Sequence, residues 1–503
     1  MKTLYLYGPP ASGKSTLAKR LAKDFGVAHI DLDEEIVKRI GMPISQFFAE
    51  RGEAAFRDVE SQMLREVDAH IVALGGGTLL RDDNRKFAED RGFVAVLDVD
   101  DEEIARRIEL AKGTRPLGNK AAERRSHYAS FPHHIKNDTQ IILPCRLAGD
   151  VAVPLSKSHV HRMLIADFLA GGDGLKNIPD FCEDIAATRR CIAALKPSQP
   201  SQPSQAILDC GESGSTLRFI APIAAALGVK AKFVRRGRLA ERPMLDYSEL
   251  RSGRHELAGN ISSQFVTGLL FALPLLVGDS EIAFASPLES RGYVDMTLDV
   301  IRAYGICIDE TPTGFLIPGS QRYIRPEGGL VPEGDWSGAA FWFAANALGA
   351  DVRVTNLFTA SHQPDKAVCG LQFAVCGSSS SLSVSQFPDL YPSLAVMAAA
   401  KDGVTTFVDA GRLRIKESDR IAAMESVLAA FGVEATSTPD TATIRGNGAK
   451  FRSCEIDSFN DHRIAMAAAI AATRADGTVL IHGASCVAKS YPQFFDDFHR
   501  LTT

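Results

Sequence analysis

The sequence predicts an α/β protein in two parts, a P-loop domain with a parallel sheet followed by a larger α/β region. First, the short β pattern "KTLYLYG" runs into the glycine loop "GPPASGKST" at residues 8–16 and then into a helical pattern. This is the strand–loop–helix order of a phosphate-binding loop. Second, polar turns open six apolar, alanine-rich helical segments farther along the chain. The 503 residues also exceed what one hydrophobic core usually supports.

Composition excludes several classes of protein. The net charge of −5 gives no general attraction for nucleic acid or for an anionic membrane. The nine cysteines form no CxxC pair, so we expect neither a zinc site nor a disulfide framework. The longest apolar stretch, residues 265–278, contains a proline and is shorter than the roughly 18 residues of a membrane span. The first residues enter the glycine loop directly and leave no room for a signal peptide, so we expect a cytoplasmic protein.

The glycine loop indicates nucleotide binding. Gly8 and Gly13 allow backbone N–H groups to surround the β-phosphate. Lys14 would reach the β- and γ-phosphate oxygens, and Ser15 would ligate Mg²⁺ at the start of the helix, next to Thr16. The loop does not identify the second substrate.

Two pairs of charged residues follow the loop, and each has two interpretations. Asp31 and Asp33 end a second β pattern, where carboxylates could hold Mg²⁺-bound water or a polyol; the alternative is that Asp33 only caps a helix. Arg57 and Glu60 share a helical face, and such a pair is usually a solvated ion pair.

Two later motifs also suit phosphate transfer. Residues 75–77, three glycines after a β pattern, allow the backbone to approach a flat ligand closely. Arg115 in "GTRPL" is a candidate arginine over the phosphate in transfer.

In this order behind a P-loop, the motifs Asp-x-Asp, Gly-Glu-x-x-Phe-Arg-x-x-Glu, Gly-Gly-Gly and Arg-Pro-Leu resemble shikimate kinase. The resemblance implies ATP- and Mg²⁺-dependent phosphorylation of the shikimate 3-hydroxyl within residues 1–137. It assigns catalysis to Lys14, Asp33 and Arg115, ATP binding to Gly8, Gly13, Lys14, Ser15, Thr16 and Arg115, metal binding to Ser15 and Asp31, and shikimate binding to Asp33, Arg57, Gly76 and Arg124. Arg124 is preferred to Arg125 because it stands four residues before Tyr128. Only eight residues separate Arg115 from Arg124, which predicts a short lid.

Polar starts of apolar helices recur through the larger part of the chain, at Lys157, Ser213, Ser262, Ser337, Asp389 and Asp461. Helices this apolar should be buried nearly all round, so we expect their positively polarised N-termini to meet around an anion site. The low-complexity segment at residues 197–205 is interpreted as a surface loop inside this region and not as a linker.

Charged residues in short polar motifs accompany these helices. The cations are Lys157, Arg162, Arg242, Lys416, Arg420, Arg463 and Lys489. They predict one or two ligands with several negative charges. The same cations should depress the pKa values of two accompanying carboxylates, Asp389 and Glu417, which suits a base more easily than an acid.

These motifs resemble 5-enolpyruvylshikimate-3-phosphate (EPSP) synthase from about residue 141 to 495. The resemblance implies a domain at 138–503 with two lobes, 156–331 and 138–155 plus 332–503, built from six βαβαββ-type repeats. It implies enolpyruvyl transfer from phosphoenolpyruvate to the 5-hydroxyl of shikimate 3-phosphate without a metal or other cofactor. It assigns shikimate 3-phosphate to Lys157, Ser158, Arg162, Ser262, Ser263, Gln264, Ser290, Asp389 and Lys416, phosphoenolpyruvate to Lys157, Gly214, Arg242, Arg420, Arg463 and Lys489, and catalysis to Asp389, Glu417 and Lys157.

Three residues depart from the usual pattern of this family: Leu155 replaces glycine, and Glu212 and Arg412 replace asparagine. Two alternative functions stay open at this point. The first part could bind its ligands without catalysing, as a regulatory module, given the short lid. The larger part could act on a nucleotide sugar, although "KESDR" at 416–420 and the attached kinase-like part argue against this.

Overall fold

The computed structural model describes residues 2–110, 124–173, 175–196, 205–374 and 379–503. Arg115 and most of the predicted loop at 197–205 lie outside these ranges. Every cysteine in the described ranges is a free thiol. Among the described helices, none combines the length and the apolar character needed to cross a bilayer.

Strands and helices alternate through the first part of the chain. They are β1 (Thr3–Tyr7), α1 (Lys14–Phe25), β2 (His29–Asp31), α2 (Leu32–Ile40), α3 (Ile44–Glu66), β3 (Ile71–Ala73), α4 (Asp82–Arg91), β4 (Gly92–Leu97), α5 (Asp101–Leu110), α6 (Arg125–Tyr128) and β5 (His134–Ile135). The strands form one sheet in the order β2-β3-β1-β4-β5, and every pair is parallel. The glycine loop follows β1, so it lies at the carboxyl edge of the sheet, where ligands bind in such folds.

The larger part begins with the elements β6 (Thr139–Ile142), β7 (Ala148–Val151), α7 (Lys157–Leu169), α8 (Glu183–Leu195), β8 (Ala206–Gly211), α9 (Gly214–Ala226), β9 (Ala231–Arg235), β10 (Gly253–Leu257), α10 (Ser263–Ala272), β11 (Ser280–Phe284), α11 (Arg291–Ala303), β12 (Asp309–Thr311) and β13 (Gly314–Ile317). It continues with α12 (Trp336–Ala347), β14 (Asp351–Val354), α13 (Val368–Ala374), β15 (Ser379–Ser383), α14 (Tyr391–Ala399), β16 (Asp402–Val408), α15 (Arg420–Ala430), β17 (Glu434–Ser437), β18 (Ala442–Asn447), β19 (Cys454–Asp457), α16 (His462–Ala472), β20 (Val479–His482) and α17 (Phe494–Leu501).

Two sheets of this part have the same topology. The orders β10-β11-β13-β12 and β15-β16-β18-β17 each join one parallel pair to two antiparallel pairs. The remaining described strands form the three-stranded sheet β19-β20-β6 and the two-stranded sheets β14-β7 and β8-β9. The α/β architecture is therefore as predicted, while a sixfold repetition stays a prediction.

The apolar helices divide between two hydrophobic cores. Residues between 160 and 323 form one core, and residues 141–153 with 336–501 belong to the other. The chain enters the second core first, because β6 pairs with β20 and β7 pairs with β14. A segment near residue 140 thus completes sheets whose other strands lie hundreds of positions later.

Polar caps begin five of the six apolar helices, whereas α14, predicted to start at Asp389, follows Leu390 and has no side-chain cap. Side chains of Ser156, Ser213, Ser262 and Asp461 accept hydrogen bonds from the first turns of α7, α9, α10 and α16. The cap of α12 is Asp335 and not Ser337, which lies one residue inside the helix.

The first part and the larger part share a continuous interface. The second core also contains residues of β1, α1 and β3, and α17 packs against α1 with Phe25 and His499 edge to face. The ammonium group of Lys2, in the first part, contacts Oδ2 of Asp476, in the larger part, at 2.9 Å. His133 and His482 both contact Glu455. The two parts therefore stabilise one another.

We expect Phe25→Ala to destabilise the larger part as well as the first. Phe25 is buried against α17, and removing a buried phenylalanine side chain costs about 3–5 kcal/mol. Phe131→Ala is the matched control, because Phe131 is equally buried but packs in the separate core of the first part. Circular dichroism melting should show a lower unfolding temperature of the larger part in Phe25→Ala only. The shared interface would be contradicted if both variants left that transition unchanged.

Candidate active sites

A cavity of about 1120 Å³ opens beside the glycine loop. Its lining includes nine predicted ligand-binding residues: Gly13, Lys14, Ser15, Thr16, Asp31, Asp33, Arg57, Gly76 and Arg124. Gly8 does not line the cavity, but its carbonyl oxygen accepts a hydrogen bond from the ammonium group of Lys14. Residues 135–137, 139 and 141, where the first part passes into the larger part, line another side of the same cavity.

The glycine loop is folded around the ammonium group of Lys14. That group donates to the carbonyl oxygens of Gly8 at 3.0 Å and Pro9 at 2.7 Å and to the hydroxyl of Ser12 at 3.3 Å. Gly8 and Gly13 have positive φ angles of 130° and 100°, which only glycine adopts easily. No side chain caps α1, so its first N–H groups are available to an anion.

The two early carboxylates have separate roles. Asp31, and not Asp33, caps α2: its Oδ1 atom accepts from the N–H groups of Asp33 at 3.0 Å and Glu34 at 3.3 Å. Asp33 lies on the cavity wall beside Gly75, where an added Cβ would stand 2.9 Å from Oδ1 of Asp33. The interpretation that Asp33 only caps a helix is therefore wrong, because the cap is Asp31.

Arg57 and Glu60 are buried, so they are not a solvated ion pair. Their exposed fractions are 8% and 1%, and Glu60 also accepts from the Thr78 hydroxyl at 2.6 Å. Burial opposes the charge of Arg57, but the carboxylates of Glu60 and Glu53 raise its pKa above the ordinary value. A Cβ on Gly77 would lie 2.4 Å from Nη2 of Arg57, so this glycine makes room for the guanidinium.

Arg124, and not Arg125, lines the cavity. It is buried, and its Nη1 donates to the carbonyl of Gly76 at 3.2 Å; Tyr128 donates to the same carbonyl at 2.6 Å. Arg125 is exposed. Arg57, Arg124 and Asp33 thus provide two guanidinium groups and one carboxylate around the space beside the glycine loop, a combination that suits an anionic polyol.

A second cleft lies between the two cores of the larger part. It is lined by twelve predicted site residues: Lys157, Ser158, Arg162, Gly214, Arg242, Ser262, Ser263, Gln264, Ser290, Asp389, Lys416 and Glu417. The starts of α7, α9 and α10 and the turn before α14 supply most of them. Four of the six predicted helix starts therefore meet at this cleft.

Arg420 joins the carboxylates on one side of the cleft. Its guanidinium is 1% exposed and donates to Asp461 at 2.9 Å, to Asp389 at 2.7 Å and to Glu417 at 2.6 Å. Arg463 contacts Asp389 at 3.0 Å. Arg420 and Arg463 thus hold two candidate catalytic carboxylates in place without lining the cleft themselves.

The pKa values of both carboxylates are lowered, as the sequence predicted. Burial alone would raise the pKa of Asp389, but Arg463, Lys416 and Arg420 hold it well below the usual range. Burial also opposes the charge of Glu417, but the positive charge of Arg420, and to a smaller extent that of Arg242, lowers the pKa of Glu417 well below its usual value. Both carboxylates are therefore ionised at neutral pH in the absence of ligand.

Each of three predicted ligand-binding lysines contacts a carboxylate from a different segment of the chain. Lys157 contacts Asp184 at 2.9 Å, Lys416 contacts Asp389 at 3.4 Å, and Lys489 contacts Glu212 at 2.6 Å. Arg162 instead donates to oxygens of the protein that carry no charge, including the hydroxyl of Thr297 at 2.8 Å and the carbonyl of Tyr293 at 2.8 Å.

Sequence reasoning missed several residues of the second cleft. Arg218 lines it and donates to the side-chain oxygen of Gln264 at 2.5 Å. Arg412, which replaces the asparagine usual in the family and could be expected either to contact phosphate or to point to solvent, contacts Glu289 at 2.8 Å and the Ser290 hydroxyl at 3.2 Å. Arg218 lies four residues after Gly214, and Arg412 lies four residues before Lys416. This closeness to predicted ligand-binding residues is the sequence feature that could have indicated them.

Backbone strain marks one edge of this cleft. Ser290 has a φ of 55°, the left-handed region that costs energy for a residue other than glycine. Its hydroxyl donates to the carbonyl of Ser385, across the cleft, at 3.1 Å. This contact links Ser290, a predicted ligand-binding residue, to a segment beside the other core.

Both parts of the chain match known families. Residues 10–140 match the family model of shikimate kinase. Residues 245–372 and 376–498 match the model described as EPSP synthase (3-phosphoshikimate 1-carboxyvinyltransferase). The 3-phosphoshikimate 1-carboxyvinyltransferase of Clostridium kluyveri is 37% identical over 414 residues, which cover 72% of this chain and 96% of the relative. That of Clostridium perfringens is 38% identical over 418 residues, covering 72% and 98%.

Solved structures have the same fold over the larger part. EPSP synthase from Acinetobacter baumannii aligns with a TM-score of 0.56 and 22% identity, covering 72% of this chain and 98% of that one. The enolpyruvyl transferase NikO from Streptomyces tendae aligns with a TM-score of 0.54 and 15% identity, covering 73% and 98%. The chain therefore belongs to the 3-phosphoshikimate 1-carboxyvinyltransferase family and carries a shikimate kinase domain ahead of it, so that one polypeptide joins two transferases of the shikimate pathway.

Proposed function

We propose that the two domains catalyse successive reactions: ATP-dependent phosphorylation of shikimate, then transfer of enolpyruvyl from phosphoenolpyruvate to shikimate 3-phosphate. The observation that carries this proposal is the presence of two separate anion sites of different construction, a glycine loop in one and a ring of guanidinium and ammonium groups in the other. The first site would install a phosphate, and the second would bind the product through it. A kinase-like domain that only binds its ligands is not favoured, because the described residues retain the P-loop, Asp33 and both arginines around one cavity.

In the kinase domain, Lys14 and the first N–H groups of α1 would hold the ATP phosphates. Asp33 would orient the hydroxyl that attacks the γ-phosphate, and Arg57 and Arg124 would hold the shikimate carboxylate in bidentate contacts. The backbone of Gly76 would lie against the ring of shikimate. Arg115, outside the described residues, would act over the phosphate in transfer.

Mg²⁺ fits the same cavity. Ser15 and Asp31 both line it, and Oδ2 of Asp31 is not used in the helix cap. Oxygen ligands of this kind, completed by phosphate and water, are what Mg²⁺ prefers. When bound, the ion would neutralise charge on the phosphates.

In the transferase domain, shikimate 3-phosphate would be bound by Ser158, Arg162, Ser262, Ser263, Gln264, Ser290 and Lys416. Phosphoenolpyruvate would be bound by Gly214 and Arg242, which line the cleft, and by Arg420, Arg463 and Lys489, which are not among its lining residues. Lys157 would lie between the two ligands. Positive charge at fixed positions would stabilise the tetrahedral intermediate, so the proposed reaction needs no metal. A Cβ on Gly214 would lie 2.9 Å from Nη1 of Arg242, so this glycine keeps the guanidinium accessible.

Asp389 would accept the proton of the 5-hydroxyl, since it is ionised in the free enzyme. Glu417 would carry the proton to the methylene carbon of phosphoenolpyruvate. Two anionic ligands would offset the charges of Arg242 and Arg420, and this would raise the pKa of Glu417 enough for it to hold a proton.

We infer that the division between the domains falls near residues 137 and 138, between β5 and β6, with lobes at 156–331 and at 138–155 plus 332–503. The two hydrophobic cores of the larger part support the two lobes, and the change from the parallel sheet that ends with β5 to the sheet that contains β6 supports the boundary between the domains. The repeated order of the two four-stranded sheets supports an origin in βαβαββ units, of which we propose six.

Replacing Arg124 should affect shikimate binding, whereas replacing its neighbour should not. Arg124→Ala removes a buried guanidinium and should raise the KM for shikimate about 30-fold or more. Arg125→Ala is the matched control and should change it less than about twofold, because exposed charges contribute little. Steady-state kinase assays measure both. Equal effects of the two substitutions would exclude the proposed role of Arg124.

The two reactions should be separable by mutation. Lys14→Ala should lower the kinase kcat at least about 10²-fold and leave enolpyruvyl transfer intact when shikimate 3-phosphate is supplied. Asp389→Ala should lower the transferase kcat about 10²- to 10⁴-fold and leave the kinase intact. Coupled assays for ADP and for phosphate release measure the two steps. A folded variant that lost both activities would contradict two independent sites.

Binding of shikimate 3-phosphate should weaken above about pH 8. Burial lowers the pKa of Lys416 to about 8, so this lysine loses its charge as the pH rises through that value. We expect kcat/KM for shikimate 3-phosphate to fall there, and Lys416→Arg, which keeps its charge, to move the fall to higher pH. Lys450→Arg, at an exposed position, is the control and should leave the profile unchanged. A wild-type profile that stays flat to pH 9.5 would exclude this role.

A further inference from the structure

Glu212 forms an ion pair with Lys489 between the two core regions of the transferase domain. Glu212 follows β8 in one core region, and Lys489 ends a short 3-10 helix, Ala484–Lys489, beside the other. The Lys489 ammonium donates to Oε2 of Glu212 at 2.6 Å and to the carbonyl of Asn460 at 2.8 Å. The pair therefore joins two lobes that have separate hydrophobic cores.

The carboxylate of Glu212 has a fitted position. The side-chain amide of Asn460 donates to it at 3.2 Å. Gly237, with a φ of 52°, faces it from the next turn, and a Cβ there would lie 2.7 Å from Oε1 of Glu212. Gly237 provides the space for the carboxylate, and Asn460 and Lys489 donate hydrogen bonds to it.

The Glu212 side chain is more exposed than those of Asp389, Glu417 and Asp461. Asp461 is completely buried and contacts Arg420 from within its own lobe. The Glu212 side chain is 36% exposed, while the Lys489 side chain is 8% exposed. A displaced Glu212 would be hydrated by water at the cleft edge, whereas Lys489 would need a replacement anion because a buried charge without a partner is costly.

We propose that Glu212 competes with phosphoenolpyruvate for Lys489 and thereby sets the affinity of the enzyme for that substrate. This inference rests on the proposed function, in which Lys489 binds phosphoenolpyruvate. The phosphoenolpyruvate anion takes the position of the Glu212 carboxylate. The free energy needed to break the Glu212–Lys489 contact therefore weakens the binding of phosphoenolpyruvate. Shikimate 3-phosphate, which does not use Lys489, is unaffected.

The variant Glu212→Gln tests this proposal, because it removes the charge and keeps the shape. We expect the KM for phosphoenolpyruvate to fall about 2- to 5-fold, the upper part of the range given by loss of one partly exposed ion pair, with the KM for shikimate 3-phosphate changed less than about 1.5-fold. Asp209→Asn is the matched control: it removes the same charge three residues earlier, where Asp209 contacts Arg236 at 3.0 Å outside the cleft. It should leave both KM values unchanged.

An unchanged or higher KM for phosphoenolpyruvate in Glu212→Gln would overturn the proposal, and a rise in both KM values would show that Glu212 only supports the fold. Lys489→Ala, assayed in parallel, separates this failure from a failure of the proposed function. If Lys489→Ala raises the KM for phosphoenolpyruvate while Glu212→Gln does not lower it, competition is wrong and the role of Lys489 stands. If Lys489→Ala leaves that KM unchanged, the assigned role of Lys489 falls and the competition proposal falls with it.

Discussion

The buried guanidinium of Arg420 is the interaction on which the transferase site depends. A guanidinium that is 1% exposed is stable only if carboxylates surround it, and Asp389, Glu417 and Asp461 do so. The same contacts ionise Asp389 and Glu417 and fix their positions relative to the starts of α14 and α16. The negative charges of these carboxylates offset the repulsion between the arginine and lysine side chains that surround the cleft. Substrate anions are expected to enter a site whose charges are already oriented, which is the condition for electrostatic catalysis.

Features set by neighbouring residues could be predicted from the sequence. The glycine loop, its lysine and the polar caps of α7, α9, α10 and α16 depend on short segments, so their patterns are visible in the chain itself. The lowered pKa values of Asp389 and Glu417 also followed from the number of cations in nearby motifs.

Features set by distant residues could not be predicted. The Arg57–Glu60 pair is buried because Gly77 lacks a side chain, and nothing in the helical spacing of the pair indicates this. Lys489 and Glu212 are 277 positions apart, so their contact depends on how the regions of the two hydrophobic cores pack together. The choice of Asp31 over Asp33 as the cap depends on the residue at which α2 begins, which sequence patterns locate only approximately.

The packing of α17 against α1 has a consequence for the handling of this protein. The apolar side of α1, with Leu21 and Phe25, is covered by residues that come more than 450 positions later in the chain. During synthesis, the kinase domain therefore leaves the ribosome with part of its surface uncovered until translation is nearly complete. Expression of that domain alone should favour aggregation, and chaperone demand should be highest while the transferase domain is still being made.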